Sequence, residues 1–217
     1  MNTEIDPPNS PIGEQLKDLL ANAGIVPLSP GLSAQFAAYL ALILRWNARL
    51  NLTSVRDEQG ILERHFVECI VCAHAIPADV HTLLDFGSGA GFPGIPIALC
   101  RPGIAVTLAE SQGKKAAFLQ EAARTLGLQV QIHSGRAETL AREFDCVTLR
   151  AVDKMEQAVP AAAALVRPDG WLVPMTTEPD LARIRALVSP AFQWTSSVPL
   201  PGSDHRIVAI GQRQCST

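Results

Sequence analysis

The sequence predicts an α/β protein: a mostly parallel sheet covered by helices on both faces, preceded by a small N-terminal helical region. Three observations carry this expectation. From His81 onward, short apolar runs with strand character alternate with helix-period segments across short loops, the pattern that builds parallel sheets. The first 78 residues read instead as helices. Between the two regions lies LLDFGSGAGFPG, residues 83–94, where a strand end runs into four glycines and then an apolar helix start. Such a unit aims backbone N–H groups at a bound nucleotide. The expected division is a helical region, 1–80, and a sheet domain, 81–217.

Taken in order, Ser10-Pro11 is a helix cap followed by proline at the first helical position. Ile12, Leu16, Leu19 and Leu20 then keep helical spacing up to a stop at Gly24. Ser29-Pro30 starts the next helix, with Leu32, Phe36, Tyr39, Leu40, Ile43 and Leu44 on its apolar side. Asn51-Leu52-Thr53-Ser54 breaks that run, and a third helix is expected over 57–75, ended by Pro77. Strand candidates follow at 82–86, 104–109, 128–133, 144–150, 170–175, 192–198 and 205–211. Helices at 94–100, 113–126, 153–166 and 179–188 alternate with them, Gly127 ending the second. Ligands of such sheets bind outside the carboxyl ends of the strands. Asp85, Glu110, the 134–138 turn and Arg150 all fall there.

A chain of 217 residues, 47% hydrophobic and 18% charged, supports one substantial core. No apolar stretch reaches the roughly 18 residues of a membrane span. The start, MNTEIDPPNSP, is polar and acidic, neither a signal nor a transit peptide. A cytoplasmic protein with a frayed N-terminus is expected. The net charge of −3 counts against a purely charge-driven nucleic-acid binder. It leaves room for a local basic patch. Arg45, Arg49, Arg56 and Arg64 before the glycine loop, with Lys114 and Lys115 after it, form either such a patch or a solvated helix face. Five scattered cysteines without a secretory signal imply reduced thiols. Cys69 and Cys72 share a helix face and read as core packing; zinc would need two further ligands, with only His65 and His74 near.

Two cofactor classes use a glycine turn of this kind. Gly89, Gly91 and Gly94 satisfy G-x-G-x-x-G, and Glu110 lies 19 residues past Gly91, which permits a dinucleotide. Asp85 argues the other way. Placed at the mouth of the loop, its carboxylate would repel a pyrophosphate. A phosphate-free ligand with a cationic centre, S-adenosylmethionine, suits an acid–glycine loop better. Glu110, ending VTLAE, is placed to accept both ribose hydroxyls, or is a solvated strand-end acid. Ala137 and Glu138 stand where adenine edges are read, or at an ordinary helix N-terminus. Arg150, ending FDCVTLR, clamps a carboxylate, faces the substrate, or pairs with a neighbouring acid.

Absent motifs narrow the chemistry. The fourth strand lacks the D/N-P-P-Y sequence that marks exocyclic amino methylation, and Cys146 lies mid-strand with no Pro-Cys pair. What remains is attack by an atom already nucleophilic. Guanine N7 has an in-plane lone pair and no proton to remove, so transfer needs in-line placement and no general base. Arginine reads guanine at O6 and N7; only an O6 contact leaves N7 free.

Asp85, Gly87, Gly89 and Gly91 follow D-x-G-x-G-x-G, which resembles the first motif of the class I methyltransferases. More specifically, WNARLNLTSVRD, ILERHF, LLDFGSGAGFPGIPIAL, SGRAE, FDCVTLRAV and HRIVAI make the chain similar to the 16S ribosomal RNA guanine-N7 methyltransferases, also called glucose-inhibited division protein B. These pieces span about residues 45–210. Pro93 and Pro96 are the most specific, being foreign to generic methyltransferase loops. The resemblance implies a class I, Rossmann-like methyltransferase domain with a seven-stranded sheet. It implies S-adenosylmethionine as donor and a guanine in the 530 loop of 16S rRNA as acceptor, on RNA or small ribosomal subunit. A monomer away from any membrane, without a metal, is expected. Family cofactor contacts would fall on Gly87, Phe92, Ala137, Glu138 and Arg150, with Asp85, Gly89 and Glu110 nearby.

The chain departs from that pattern twice. Glu68-Cys69 stands where the family has Asp-Ser, a chemically mild change. WLVPMTTE after Gly170 lacks the expected Lys-Gly, which bears on substrate contacts. Two other readings stay open: a class I methyltransferase with a small-molecule or protein acceptor, and a dinucleotide reductase or nucleotide-dependent binding module.

Overall fold

The computed structural model describes residues 11–151 and 154–215. The Ser10 cap and the expected frayed N-terminus lie outside them. Helices α1 (Pro11–Asn22), α2 (Pro30–Asn47), α3 (Glu58–Ile61) and α4 (Glu68–Ala75) precede the sheet. A π-helical turn, Leu62–Val67, joins the last two. Then come β1 (Thr82–Phe86), α5 (Gly94–Cys100), β2 (Ala105–Ala109), α6 (Gly113–Leu126), β3 (Gln131–His133), a 3-10 turn at Ala137–Thr139 and β4 (Phe144–Arg150). The chain ends with α7 (Met155–Ala164), β5 (Val166–Thr177), α8 (Glu178–Val188), β6 (Phe192–Pro199) and β7 (Arg206–Arg213). The strands form a seven-stranded sheet in the order β3-β2-β1-β4-β5-β7-β6. β7 runs antiparallel to β5 and β6, and the remaining pairs are parallel.

Local chemistry sets the helix ends. The Ser29 hydroxyl accepts from Leu32 N–H at 3.3 Å ahead of Pro30, and the Asp57 carboxylate accepts from Gly60 N–H at 2.7 Å. Each satisfies a donor that the first helical turn leaves unpaired. Gly127, at φ +67°, ends α6 in the left-handed conformation.

Three elements differ from expectation. β3 covers only Gln131–His133 because Leu128 N–H still donates to Ala123 O, so the chain closes α6 before it pairs. β5 begins earlier, at Val166, where it pairs with Phe144 before a register shift. The third helix is interrupted by the π turn.

Strand alternation sends side chains to both faces. Leu83, Val106, Leu108 and Cys146 join the core under α2, α4, α5 and α6. Leu84, Phe86, Val147 and Leu149 join the core under α7 and α8. The first of these cores continues into the N-terminal helices through Leu16, Leu20, Phe36, Tyr39 and Phe66. No helix among the described residues is long and apolar enough to cross a membrane.

Candidate active site

The glycine loop is built on close approaches. Asp85, 1% exposed at the end of β1, accepts from Gly94 N–H at 3.1 Å and from the Thr148 hydroxyl at 3.3 Å. A Cβ on Gly94 would lie 2.7 Å from Asp85 Oδ2 and against the Leu108 side chain, so only glycine fits there. Burial pushes the Asp85 carboxyl up to about 6, against the pull of hydrogen bonds from Ser88, Gly94 and Thr148. The sequence reading set Asp85 at the loop's mouth. It lies beneath the loop instead, hydrogen-bonded to the Gly94 amide and the Thr148 hydroxyl.

Glu110, at the end of β2, ties the same loop from the other side. Its Oε2 accepts from Gly89 N–H at 2.9 Å and its Oε1 from Gln112 N–H at 2.7 Å. Gly89 sits at φ +57° and Gly91 at φ +90°, both in the region that disfavours side chains. From below, the Tyr39 hydroxyl donates to Ala90 O at 2.5 Å.

Two cavities open on the carboxyl edge of the sheet. One, of about 370 Å³, is lined by Gly87, Glu110, Gly135, Ala137, Glu138, Lys154 and Gln157 among others. Gly87, at φ +74°, presents bare backbone to it. Ala137 is 4% exposed on the 3-10 turn. The Glu138 carboxylate pairs with Arg136 at 2.7 Å; partial burial raises its pKa, and the Arg136 hydrogen bond and charge outweigh that, holding it below the usual value. The structure therefore brings Gly87, Glu110, Ala137 and Glu138 around one space.

The second cavity, also about 370 Å³, lies across the start of α7 and is lined by Arg64, Glu68, Arg150, Met155, Thr176, Thr177 and Arg206 among others. Arg150 reaches it from the end of β4. Its Nη2 donates to Glu68 Oε2 at 2.7 Å and to Arg64 O at 2.6 Å, and its Nη1 lies 3.3 Å from Cys69 Sγ. Arg206 Nη2 stands 2.8 Å from the other Glu68 oxygen. Burial pushes the Glu68 carboxyl up, and the charges of Arg150 and Arg206 pull it back in part. Of the three readings of Arg150, the acid partner is present, supplied by a helix. Sequence reasoning passed over Glu68 as a mild departure. Its signal was a lone carboxylate inside the apolar run 66–73.

Phe92 lines neither cavity. It is 8% exposed, 4.6 Å from the His65 ring and 5.6 Å from Tyr39 by centroids. The WNARLNLTSV segment explains that packing. Asn47 Oδ1 accepts from Leu52 and Thr53 N–H, and its amide donates to Val55 O. The turn so held sets the Thr53 hydroxyl 2.7 Å from His65 Nε2. Burial, reinforced by the Arg150 charge, drops the His65 pKa to about 3, so the imidazole is neutral. Cys69, Cys72 and Cys146 are fully buried, and burial raises all three thiols, Cys69 to about 12. They pack as core.

Known proteins match this arrangement. A family model described as rRNA small subunit methyltransferase G matches residues 32–197. A ribosomal RNA small subunit methyltransferase G of Roseiflexus castenholzii is 41% identical over 189 residues, 81% of each chain. Among solved structures, a ribosomal protein L11 methylase from Lactobacillus delbrueckii superposes with TM-score 0.58 at 14% identity, over 68% of this chain and 77% of that one. The Pyrococcus horikoshii TYW2 in complex with MeSAdo gives 0.57 at 14% identity, over 70% and 63%. At those identities the structures speak for the fold, a Rossmann-like class I methyltransferase, and the family rests on sequence: the chain belongs to the GidB family, the rRNA small subunit methyltransferase G enzymes.

Proposed function

We propose that this enzyme transfers the methyl group of S-adenosylmethionine to N7 of a guanine in the 530 loop of 16S rRNA. The observation that carries the reading is the pair of adjoining cavities at the carboxyl edge, one lined by Gly87, Glu110, Ala137 and Glu138, the other by Arg150. The first suits the donor. Bare backbone at Gly87 permits close approach, and the Glu110 carboxylate keeps lone pairs for ribose hydroxyls beyond the two amides it already accepts. Ala137 and Glu138 would border the adenine. Asp85, Gly89 and Phe92 would act through the loop's shape, since each is spent on holding it. When bound, the cofactor supplies an electrophilic methyl on a sulfonium.

The second cavity suits a base that needs no deprotonation. Its carboxylates are engaged: Glu68 faces Arg150 and Arg206, and Asp180 accepts from the Thr177 hydroxyl at 2.9 Å. Attack by an exocyclic amine would release a proton, whereas attack by N7 releases none. Placement then carries the rate.

The test is methyl transfer from radiolabelled S-adenosylmethionine to small-subunit particles and naked 16S rRNA lacking this modification. Label should map, by cleavage at N7-methylguanine, to one guanine of the 530 loop. Label elsewhere, or no transfer to either substrate while the cofactor still binds, would overturn the assignment.

A further inference from the structure

Away from both cavities, the end of α2 and the first turns of α6 enclose a groove of about 660 Å³ lined by Arg45, Trp46, Arg49, Leu50, Lys114, Ala117 and Glu121. Its charges are unevenly spent. Arg45 ion-pairs with Glu121, whose other oxygen accepts from Trp46 Nε1 at 3.1 Å. The indole is thereby fixed, with its edge against Phe118 at 5.7 Å between centroids. Arg49 and Lys114, both exposed, have no side-chain hydrogen bond or ion pair among the described residues. Two unpaired cations, Arg49 in the turn after α2 and Lys114 in α6, thus flank an apolar floor of Trp46, Leu50 and Ala117. A merely solvated helix face offers no such floor. The N-terminus of α6 at Gly113 adds its partial positive charge beside Lys114.

We infer that this groove holds a single-stranded segment of the substrate RNA, one base against the apolar floor and its flanking phosphates on Arg49 and Lys114. Unpaired nucleotides offer the two chemistries the groove joins, a flat apolar face and anions on either side. An acidic peptide matches the cations but not the floor. The site is contiguous with the active edge, since α6 begins three residues after Glu110. The inference rests on the rRNA reading above and adds a second contact outside the cofactor and base cavities.

The experiment is RNA binding by the full chain, measured by fluorescence anisotropy across a salt series with a 530-loop fragment of 16S rRNA. The parent is compared with Arg49→Ala, Lys114→Ala and the double variant. Each lost phosphate contact on single strands should flatten the log–log salt slope by about 0.7, so the double variant should lose about 1.4. Its affinity at low salt should fall about 10-fold or more, the direction that loss of phosphate contacts dictates. Calorimetric affinity for S-adenosylmethionine should stay at the parent value, which separates this effect from misfolding. A double variant with unchanged slope and affinity overturns the groove while leaving the rRNA reading intact. Loss of binding to assembled particles with naked RNA unaffected also overturns it, in favour of a protein-facing surface. A parent that binds the cofactor but neither this fragment nor the small-subunit particle removes the rRNA reading itself, and the groove with it.

Discussion

Glu68 Oε2 lies 2.7 Å from Arg150 Nη2, tying helix α4 to the carboxyl end of β4 at the wall of the second cavity. The carboxylate is 1% exposed and also faces Arg206. Its removal leaves two guanidinium groups without their counter-charge in a largely buried setting. Breaking such a set from one side costs about 3–5 kcal/mol. Glu68→Ala should show a loss of that order in urea denaturation. Glu68→Gln should lose less, because its amide oxygen still accepts from Arg150. An alanine variant within about 1 kcal/mol of the parent would show that the pair adds no more than a surface bridge does.

The neutral His65 makes stability depend on pH in a definite direction. Its pKa falls from 6.5 to about 3 on folding, through burial and the Arg150 charge. The unfolded chain therefore binds the proton more readily. The contribution is complete above pH 6.5 and is lost as pH falls toward 3, at about 1.4 kcal/mol per pH unit. His65→Gln, which keeps a polar partner for Thr53, should remove that slope. Parallel pH profiles for parent and variant over this window would refute the buried, neutral assignment.

Asp85 works with the opposite sign. Its folded pKa, about 6, lies above the ordinary 3.8 because burial opposes the charge. The folded chain holds the proton more tightly, so this contribution is complete below pH 4 and lost as pH rises through 6. The span corresponds to about 3 kcal/mol. Asp85→Asn should remove this falling contribution between pH 4 and 6, so the variant's stability should rise with pH there more steeply than the parent's, in which the His65 and Asp85 slopes oppose each other. The difference between the two curves isolates this group from His65, which titrates in the same window. A constant difference across that window would place the carboxylate in solvent.

Asp85 also marks where sequence reading stopped. The loop's composition pointed to a ligand-binding turn, and β1 and α5 fall on the residues expected. Whether a carboxylate sits at a loop's mouth or beneath it depends on Gly94 N–H and Thr148, a strand away, and no local pattern encodes that. The π turn at Leu62–Val67 and the reach of Glu68 to Arg150 and Arg206 are likewise long-range outcomes. By contrast, Ser29-Pro30, Gly127 and the change of apolar period at His81 act within a turn or two. The elements they bound lie within a few residues of their expected limits. β3 fell short because Leu128 serves the end of α6, a competition between neighbours that strand propensity alone does not register.

Gly87 gives the most direct test of the proposed cofactor cavity. It stands at φ +74°, lines the space shared with Glu110, Ala137 and Glu138, and presents only backbone. Gly87→Asp adds a side chain and a negative charge beside two carboxylates. Aspartate tolerates the left-handed region better than most residues, and residue 87 is exposed, so the fold should survive with a loss of about 1–2 kcal/mol. Affinity for S-adenosylmethionine, by contrast, should fall below detection in calorimetry. Gly87→Ala separates the two causes: it carries the backbone strain without the charge and bulk, and should retain measurable binding. Retained affinity in the aspartate variant, with circular dichroism matching the parent, would move the cofactor out of this cavity.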